Sequence, residues 1–153
     1  MPATASGSQR REGVIRVTPQ TGEIVAVCLK GDFDLANAPA LSDQIDHALD
    51  GGHNLILDLS EATFIDCSVI DVLVRASKAA RGREQAMVVQ LGTAAIVERV
   101  LELAGIERVL PRAPDRQEAV RIIRQQAPGD RAPERSALGG EAIPAVAGRN
   151  GDG

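Results

Sequence analysis

Short apolar runs rich in β-branched residues alternate along the chain with longer segments in which apolar residues recur at helical spacing. The short runs predict strands at Val14–Pro19, Ile24–Gly31, Asn54–Leu59, Ala86–Leu91 and Ile106–Pro111. The second, third and fourth of these runs are almost continuously apolar, as is typical of strands buried on both faces of a sheet. A turn over 20–23 joins the first two runs, which predicts a hairpin and an edge strand.

The longer segments predict helices at Leu35–Asp50, Ser68–Arg81, Thr93–Ala104 and Asp115–Gln126. Thr93 is predicted to cap the third helix and Gly105 to end it. Asp115 and Glu118 resemble a capping box at the start of the fourth. In the second helix, apolar residues at helical spacing form the stripe expected to face the core, namely Val69, Val72, Leu73, Ala76 and Ala80.

Buried strands that alternate with amphipathic helices predict an α/β fold, a single domain with a mostly parallel sheet and about four helices. The hairpin adds an antiparallel strand, so the sheet is mixed. The carboxyl ends of parallel strands meet at one edge of a sheet, where sites are usually found. Segments 31–34 and 60–68 both follow predicted strands at that edge, so we expect them to be neighbours.

The composition narrows the class of protein. The chain has 153 residues, of which 44% are hydrophobic, as expected for one domain with a single core. A net charge of −4 argues against nucleic acid or an anionic membrane as a partner. Phe33 and Phe64 are the only aromatic residues, which argues against a base-stacking surface. The sequence shows neither a secretory signal nor a membrane-spanning run, so we expect a cytoplasmic protein.

Both ends of the chain differ in composition from the rest. Residues 1–12 are small and polar, and residues 128–153 are rich in Pro, Gly and charged residues without a helical or strand period. We expect both segments to be disordered, which leaves residues 13–127 as the folded domain.

The polar triplet Asp66-Cys67-Ser68 precedes the second predicted helix and is the main candidate for chemistry. The simplest role of Asp66 is that of an N-cap, whose carboxylate accepts a backbone N–H of the first turn. Ser68 can be a helix starter. The Cys67 thiol would lie at the positive end of the helix dipole, which favours reactivity, while the adjacent carboxylate opposes it.

The sequence offers no partner for a nucleophilic cysteine, which needs a nearby base. His47 lies on the polar side of the first predicted helix, and His53 lies at the opposite end of the sheet from Cys67. No Cys/His spacing fits a zinc site, and no Gly-rich loop fits a phosphate or dinucleotide. We therefore expect a protein that is not an enzyme and has no catalytic residue, metal or cofactor. Cys28 lies in an apolar run and is predicted to be a buried small hydrophobic residue.

Asp32 and Asp34 flank Phe33 after the second predicted strand. Their simplest role is in a turn that leads into the first helix, with Asn37 as its cap. Their expected proximity to the triplet would create a surface of carboxylates, a small hydroxyl and an exposed aromatic ring, which suits a protein partner better than a small substrate. We therefore predict a partner-binding site formed by Asp32, Phe33, Asp34, Thr63, Asp66, Cys67 and Ser68.

Three stretches, "VCLKGDFDLANAPAL", "LILDLSEATFIDCSVIDVLVRA" and "MVVQLGTAAIVERVLELAGIERVLP", resemble the STAS domain of bacterial anti-sigma factor antagonists, over about Val14 to Gln126. The resemblance implies a sheet of four or five strands covered largely on one side by helices, and no catalysis. It implies binding to an anti-sigma factor, a serine kinase with the histidine-kinase-like ATPase fold, and hence control of sigma factor release. The family's phosphoacceptor is a serine directly after the Asp that starts the second helix.

The chain departs from this family pattern at the switch. Cys67 occupies the phosphoacceptor position and is not a substrate for a serine kinase. Val69 and Asp71 stand where Gly is common, and Val69 is expected to hinder the approach of a partner backbone. One interpretation is an antagonist without a phosphorylation switch, and another is a switch by modification of Cys67 or Ser68. The remaining ones are a STAS subunit of a transporter-associated or signalling complex and a thiol-based redox sensor.

Overall fold

The computed structural model describes residues 11–126, so the predictions for residues 1–10 and 127–153 lie outside the described residues. Its elements follow the predicted order of two strands and then helix and strand in alternation. The elements are β1 (Val14–Pro19), β2 (Ile24–Phe33), α1 (Ala38–Asp50), β3 (Asn54–Ile65), α2 (Cys67–Gly82), β4 (Met87–Gln90), α3 (Ala95–Ala104), a 3₁₀ turn (Ile106–Arg108), β5 (Arg112–Ala113) and α4 (Arg116–Gln126). The predicted α/β class is confirmed.

The strands of the described region form one five-stranded sheet in the order β1-β2-β3-β4-β5. β1 is antiparallel to β2, with Val14 opposite Lys30. The other neighbouring strands are parallel, for example with Leu57 of β3 opposite Val89 of β4. The mixed, mostly parallel sheet and its hairpin edge strand were therefore predicted correctly.

The strand order explains how the helices are distributed over the sheet. Each crossover moves one strand in the same direction, and such crossovers are right-handed, so α1, α2 and α3 share one face. Leu41, Leu73 and Leu101 of these helices belong to the large core on that face. α4 lies on the other face, where Ile123 packs in a smaller cluster with Ile56. We call these the front and back faces of the sheet.

The predicted inner stripe of α2 is confirmed, since its five apolar residues are buried. The beginning of the first helix differs from the prediction. α1 begins at Ala38 rather than Leu35. The residues before it form a turn in which the Asn37 side chain accepts the N–H of Asp34 (2.8 Å) and Asp34 Oδ1 accepts the N–H of Ala36 (2.9 Å). Asn37 holds the cap position but makes no side-chain cap bond to α1, because its side-chain amide oxygen accepts the N–H of Asp34 instead.

Two predictions around the third helix were wrong. Thr93 does not cap it: α3 begins at Ala95, with Ala94 in the cap position and no side-chain cap bond. The run Ile106–Pro111 is not a strand but opens with the 3₁₀ turn, and β5 follows at Arg112. Its apolar residues Ile106 and Leu110 are both buried at helical spacing, which satisfies the pattern without a strand.

The predicted ends of α3 and α4 are largely correct. Gly105 ends α3 with a left-handed backbone, φ +70°. The Asp115 carboxylate accepts the N–H of Glu118 (2.8 Å) before α4. The Glu118 side chain does not complete a capping box, because it pairs with the Arg121 guanidinium (3.0 Å to Nε) instead.

Candidate protein-docking site

β2 and β3 run further than their apolar sequences predict, to Phe33 and Ile65. Their parallel pairing continues to these ends with two register shifts, and Asp32 lies opposite Phe64. The two polar segments expected to be neighbours at this edge therefore lie side by side, as predicted. Register shifts re-aim side chains at the rim of a sheet, which is a common device next to sites.

Asp32 joins two strands and the segment that precedes β1. Its carboxylate accepts the hydroxyl of Thr63 (2.5 Å) and the backbone N–H of Arg11 (3.0 Å). Beside it, Gly31 has φ +95°, and a Cβ there would lie 2.4 Å from the carbonyl oxygen of Glu12. Glycine is thus required for the close crossing of the two backbones. Asp32 and Thr63 accordingly form a fixed wall of the site.

Asp66 is the N-cap of α2, as predicted from the sequence. One carboxylate oxygen accepts the N–H of Ser68 (2.9 Å), the N–H of Val69 (3.4 Å) and the hydroxyl of Ser68 (2.5 Å). These bonds satisfy backbone donors that would otherwise be unpaired at the start of the helix. The carboxylate therefore fixes the turn and the direction in which α2 leaves the sheet.

The residues of this turn differ in their access to solvent. Cys67 is exposed, whereas Ser68 is half-buried and its hydroxyl is bound to Asp66. Val69 is fully buried in the front core, so the expectation that it hinders a partner backbone was wrong. Its side chain points inward because it begins the apolar stripe of α2. Cys67 is thus the most exposed residue of the triplet.

The aromatic residue assigned to the rim was the wrong one. Phe33 is fully buried in the front core, because β2 extends to this residue and its side chain lies on the front face of the sheet. Phe64, which alternates with the buried neighbour Ile65, is 38% exposed at the end of β3. Asp34 is half-buried in the turn before α1. The exposed aromatic ring at this edge of the sheet is therefore Phe64 and not Phe33.

An open groove of about 360 Å³ lies between α1 and α2 next to the triplet. The residues that line this α1–α2 groove are Leu35, Ala38, Pro39, Ser42, Asp43, Ser68, Asp71, Val72 and Arg75. Sequence reasoning missed it, since it is formed by two helices that are distant in the chain. No local pattern in the sequence marks the groove, and Leu35, predicted to lie in the first helix, instead precedes it with 75% exposure.

A second polar cluster lies on the back face, around Arg116 at the start of α4. The Arg116 guanidinium pairs with Asp58, donates to Gln90 Oε1 (2.7 Å) and reaches Cys28 Sγ (3.6 Å). Asp58 and Gln90 are buried. Cys28 packs against the smaller core cluster, as predicted for a small hydrophobic residue, but it is half-buried rather than buried and also meets the Arg116 guanidinium. We call Arg116, Asp58, Gln90 and Cys28 the back-face cluster.

The environment of the back-face cluster changes two pKa values in opposite directions. Burial, followed by the charge of Asp58, raises the pKa of the Cys28 thiol despite the opposing effect of Arg116. Burial by itself would raise the pKa of Asp58, but hydrogen bonds from Ser60 and Arg116 outweigh it and lower that pKa. The cluster thus keeps a thiol neutral and a carboxylate charged, which suits a structural contact.

Of the two histidines, His53 lies far from the turn before α2 and His47 is exposed on the surface of α1. His53 precedes β3, at the opposite end of the sheet from the triplet, and its Nδ1 is 3.2 Å from the carbonyl oxygen of Ala48. His47 is exposed on α1.

Within residues 11–126, no three His, Cys, Asp or Glu side chains are grouped so as to hold a metal ion. No helix in the same range is long and apolar enough to cross a membrane.

The family model of the STAS domain matches residues 16–119, and the chain belongs to this family. The match begins within β1 and ends within α4, and so includes β2 to β5 and the turn before α2. A search of the curated proteins found no match.

Solved structures with the same fold include three anti-sigma factor antagonists. One, from Mycobacterium paratuberculosis, has 23% identity and a TM-score of 0.66, over 74% of this chain and 95% of that one. SpoIIAA in its unphosphorylated form has 18% identity and a TM-score of 0.63, over 73% and 97% of the two chains. A STAS domain protein from Planctomyces limnophilus has 20% identity and a TM-score of 0.60, over 71% and 96%. These likenesses establish the fold.

Proposed function

We propose that this chain is an anti-sigma factor antagonist, a regulatory binding protein that captures an anti-sigma factor and so controls release of a sigma factor. The observation that carries the proposal is the capped turn at Asp66, which presents Cys67 at the start of α2 beside the Asp32–Thr63 pair. This is the place where the family resemblance puts the partner switch. The partner would be an anti-sigma factor of the serine kinase type, with a histidine-kinase-like ATPase fold, and the protein would act in the cytoplasm without catalysis.

Cys67 would make this antagonist insensitive to the usual switch. SpoIIAA, which shares the fold, is known in a phosphorylated as well as an unphosphorylated form. A thiol is not a substrate for a serine kinase. The neighbouring Ser68 is a poor substitute, because its hydroxyl is bound to Asp66 and a phosphate there would bring two or nearly two negative charges against that carboxylate. The proposal is therefore an antagonist that stays competent to bind in the presence of an active kinase.

The exposure of Cys67 favours a second candidate function, a switch that depends on modification of its thiol. A bulky or charged group on this sulfur would project from the same surface as a phosphate does in a switched antagonist. Peroxide or a small disulfide would supply the oxidant. The test is partner binding before and after mild peroxide, with Cys67→Ala as the control. Equal binding before and after treatment would remove this second function.

The primary test combines binding with phosphate transfer. The chain is mixed with ATP and each anti-sigma factor of the ATPase type from its own organism, beside Cys67→Ser, Ser68→Ala and a Cys67→Ser/Ser68→Ala double variant. We expect the natural chain to bind one factor without a gain of phosphate by intact mass, and Cys67→Ser to bind and gain one phosphate. Phosphate on the natural chain that is lost in Ser68→Ala would move the switch to Ser68. Absence of binding to every factor would contradict the proposed function.

A further inference from the structure

The α1–α2 groove adjoins the triplet and has an apolar floor. Ala38 and Val72 are buried at its base, and Leu35 stands at its mouth with three quarters of its surface exposed. Ser68, whose hydroxyl is bound to Asp66, forms part of the wall. An occupant of the groove would therefore touch the turn that carries Cys67.

The groove is large enough for a side chain of a partner. A cavity of about 150 Å³ accepts a benzene ring, and this groove measures about 360 Å³. It thus has room for a large aliphatic or aromatic side chain. Leu35 is 75% exposed, and removing apolar surface from water is favourable, so contact with an apolar occupant would favour binding.

The charges around the groove select the kind of segment that can enter it. Asp43 and Asp71 lie on its rim as exposed carboxylates. Among residues 11–126, Arg75 is the one cation that lines the groove, and it is 3.3 Å from Asp71. Asp66 adds a further carboxylate just beyond Ser68. The rim is therefore negative overall, and a complementary segment carries Lys or Arg next to its apolar side chain.

We infer that the α1–α2 groove receives a basic segment of the anti-sigma factor, with one large apolar side chain seated over Ala38 and Val72 against Leu35. This inference rests on the proposed function and assigns a recognition surface beyond the triplet. It also explains how a partner bound in the groove would sense a change at Cys67, since Ser68 belongs to both the groove and the capped turn.

The apolar contact is tested with two matched leucines. Leu35→Ser removes the contact at the mouth of the groove, and Leu103→Ser changes a leucine of α3 that is 77% exposed and lies outside it. Calorimetry with the bound anti-sigma factor should show a dissociation constant raised about tenfold by Leu35→Ser and unchanged by Leu103→Ser. Ser42→Trp fills the groove without touching the Asp66 cap and should weaken binding at least as much. Thermal melts check that each variant is folded.

The charge contact is tested with two matched acids. Asp43→Lys reverses a charge on the rim, and Glu102→Lys reverses one on the exposed part of α3. We expect Asp43→Lys to slow association several-fold at low salt and to reduce its dependence on salt, with little effect from Glu102→Lys.

The outcomes separate the inference from the function on which it rests. If the natural chain binds no anti-sigma factor, the proposed function falls and the inference falls with it. If it binds one and Leu35→Ser, Ser42→Trp and Asp43→Lys bind equally well, the function stands and the groove assignment is overturned. If sedimentation shows a dimer of this chain that Leu35→Ser dissociates, the occupant is a second copy and the assignment to a basic partner segment is overturned.

Discussion

The turn before α2 and the back-face cluster each centre on a carboxylate with hydrogen-bonded partners, yet the two carboxylates do different work. Asp58 is 6% exposed, and its bonds come from the Ser60 backbone and from Arg116 on a distant helix. Asp66 is half-buried, and its bonds come from the first turn of its own helix. The first carboxylate holds a helix to the sheet. The second positions an exposed surface, so only the second is expected to matter for a partner.

The largest effect should come from the back-face cluster. Arg116→Met would leave the buried Asp58 carboxylate without its cation. Breaking a buried pair in this way costs about 3–5 kcal/mol, and we expect about 2–3 kcal/mol here because Arg116 keeps some contact with solvent. Denaturant unfolding measures it.

Asp58→Asn/Arg116→Met is the control, because it removes the uncompensated charge and should recover part of the loss. Partner binding by the folded variants should remain near that of the natural chain. A large loss of binding with little loss of stability would reverse the roles assigned to the two regions.

The two cysteines should differ about tenfold in their rate of alkylation at neutral pH. Cys67 is exposed at the start of α2, while Cys28 is half-buried and has a raised pKa. Mass spectrometry of peptides after a short iodoacetamide pulse compares the two sites in one sample. Equal rates would show that the back-face cluster opens readily, contrary to its structural role.

Asp66→Ala should lower the free energy of unfolding by about 1 kcal/mol, since it removes the N-cap of α2. It should also weaken partner binding, because the turn would lose its fixed direction. Asp66→Asn separates the two effects: asparagine is an equally good cap, so stability should be kept while any role of the charge in binding is lost. Unchanged denaturant melts for Asp66→Ala would show that Asp66 does not stabilise the folded chain as the N-cap of α2.

The smallest effect should be a dependence of stability on pH. The pKa of Asp58 is lowered in the folded chain. Its contribution to the free energy of unfolding is therefore complete above the pKa of about 3.9 that it has in the unfolded chain, and is lost as pH falls through its lower pKa in the folded chain. In urea melts between pH 7 and pH 3, the free energy of unfolding of the natural chain should exceed that of Asp58→Asn down to about pH 4, and this difference should shrink only below about pH 4. A difference that disappears between pH 7 and pH 5 would contradict the lowered pKa of Asp58.

The first four strands were predictable because they are local apolar runs, and the Asp66 cap because it acts within three residues of the chain. The two-residue strand β5 is too short to leave such a run. Phe33 was placed wrongly because a strand end is not marked in the sequence when the pairing continues past the apolar run. The back-face cluster joins Arg116 to Asp58 across 58 positions, a contact that no local pattern reveals. The α1–α2 groove was missed for the same reason, since it exists only once two helices pack together.

Hydrogen exchange of the full chain, alone and with each anti-sigma factor, tests the central claim most directly. We expect a bound factor to slow exchange at residues 31–36 and 66–75, around the capped turn and the groove, and to leave exchange in α4 unchanged. Protection confined to α4 and the back face would contradict it, and so would the absence of protection with every factor.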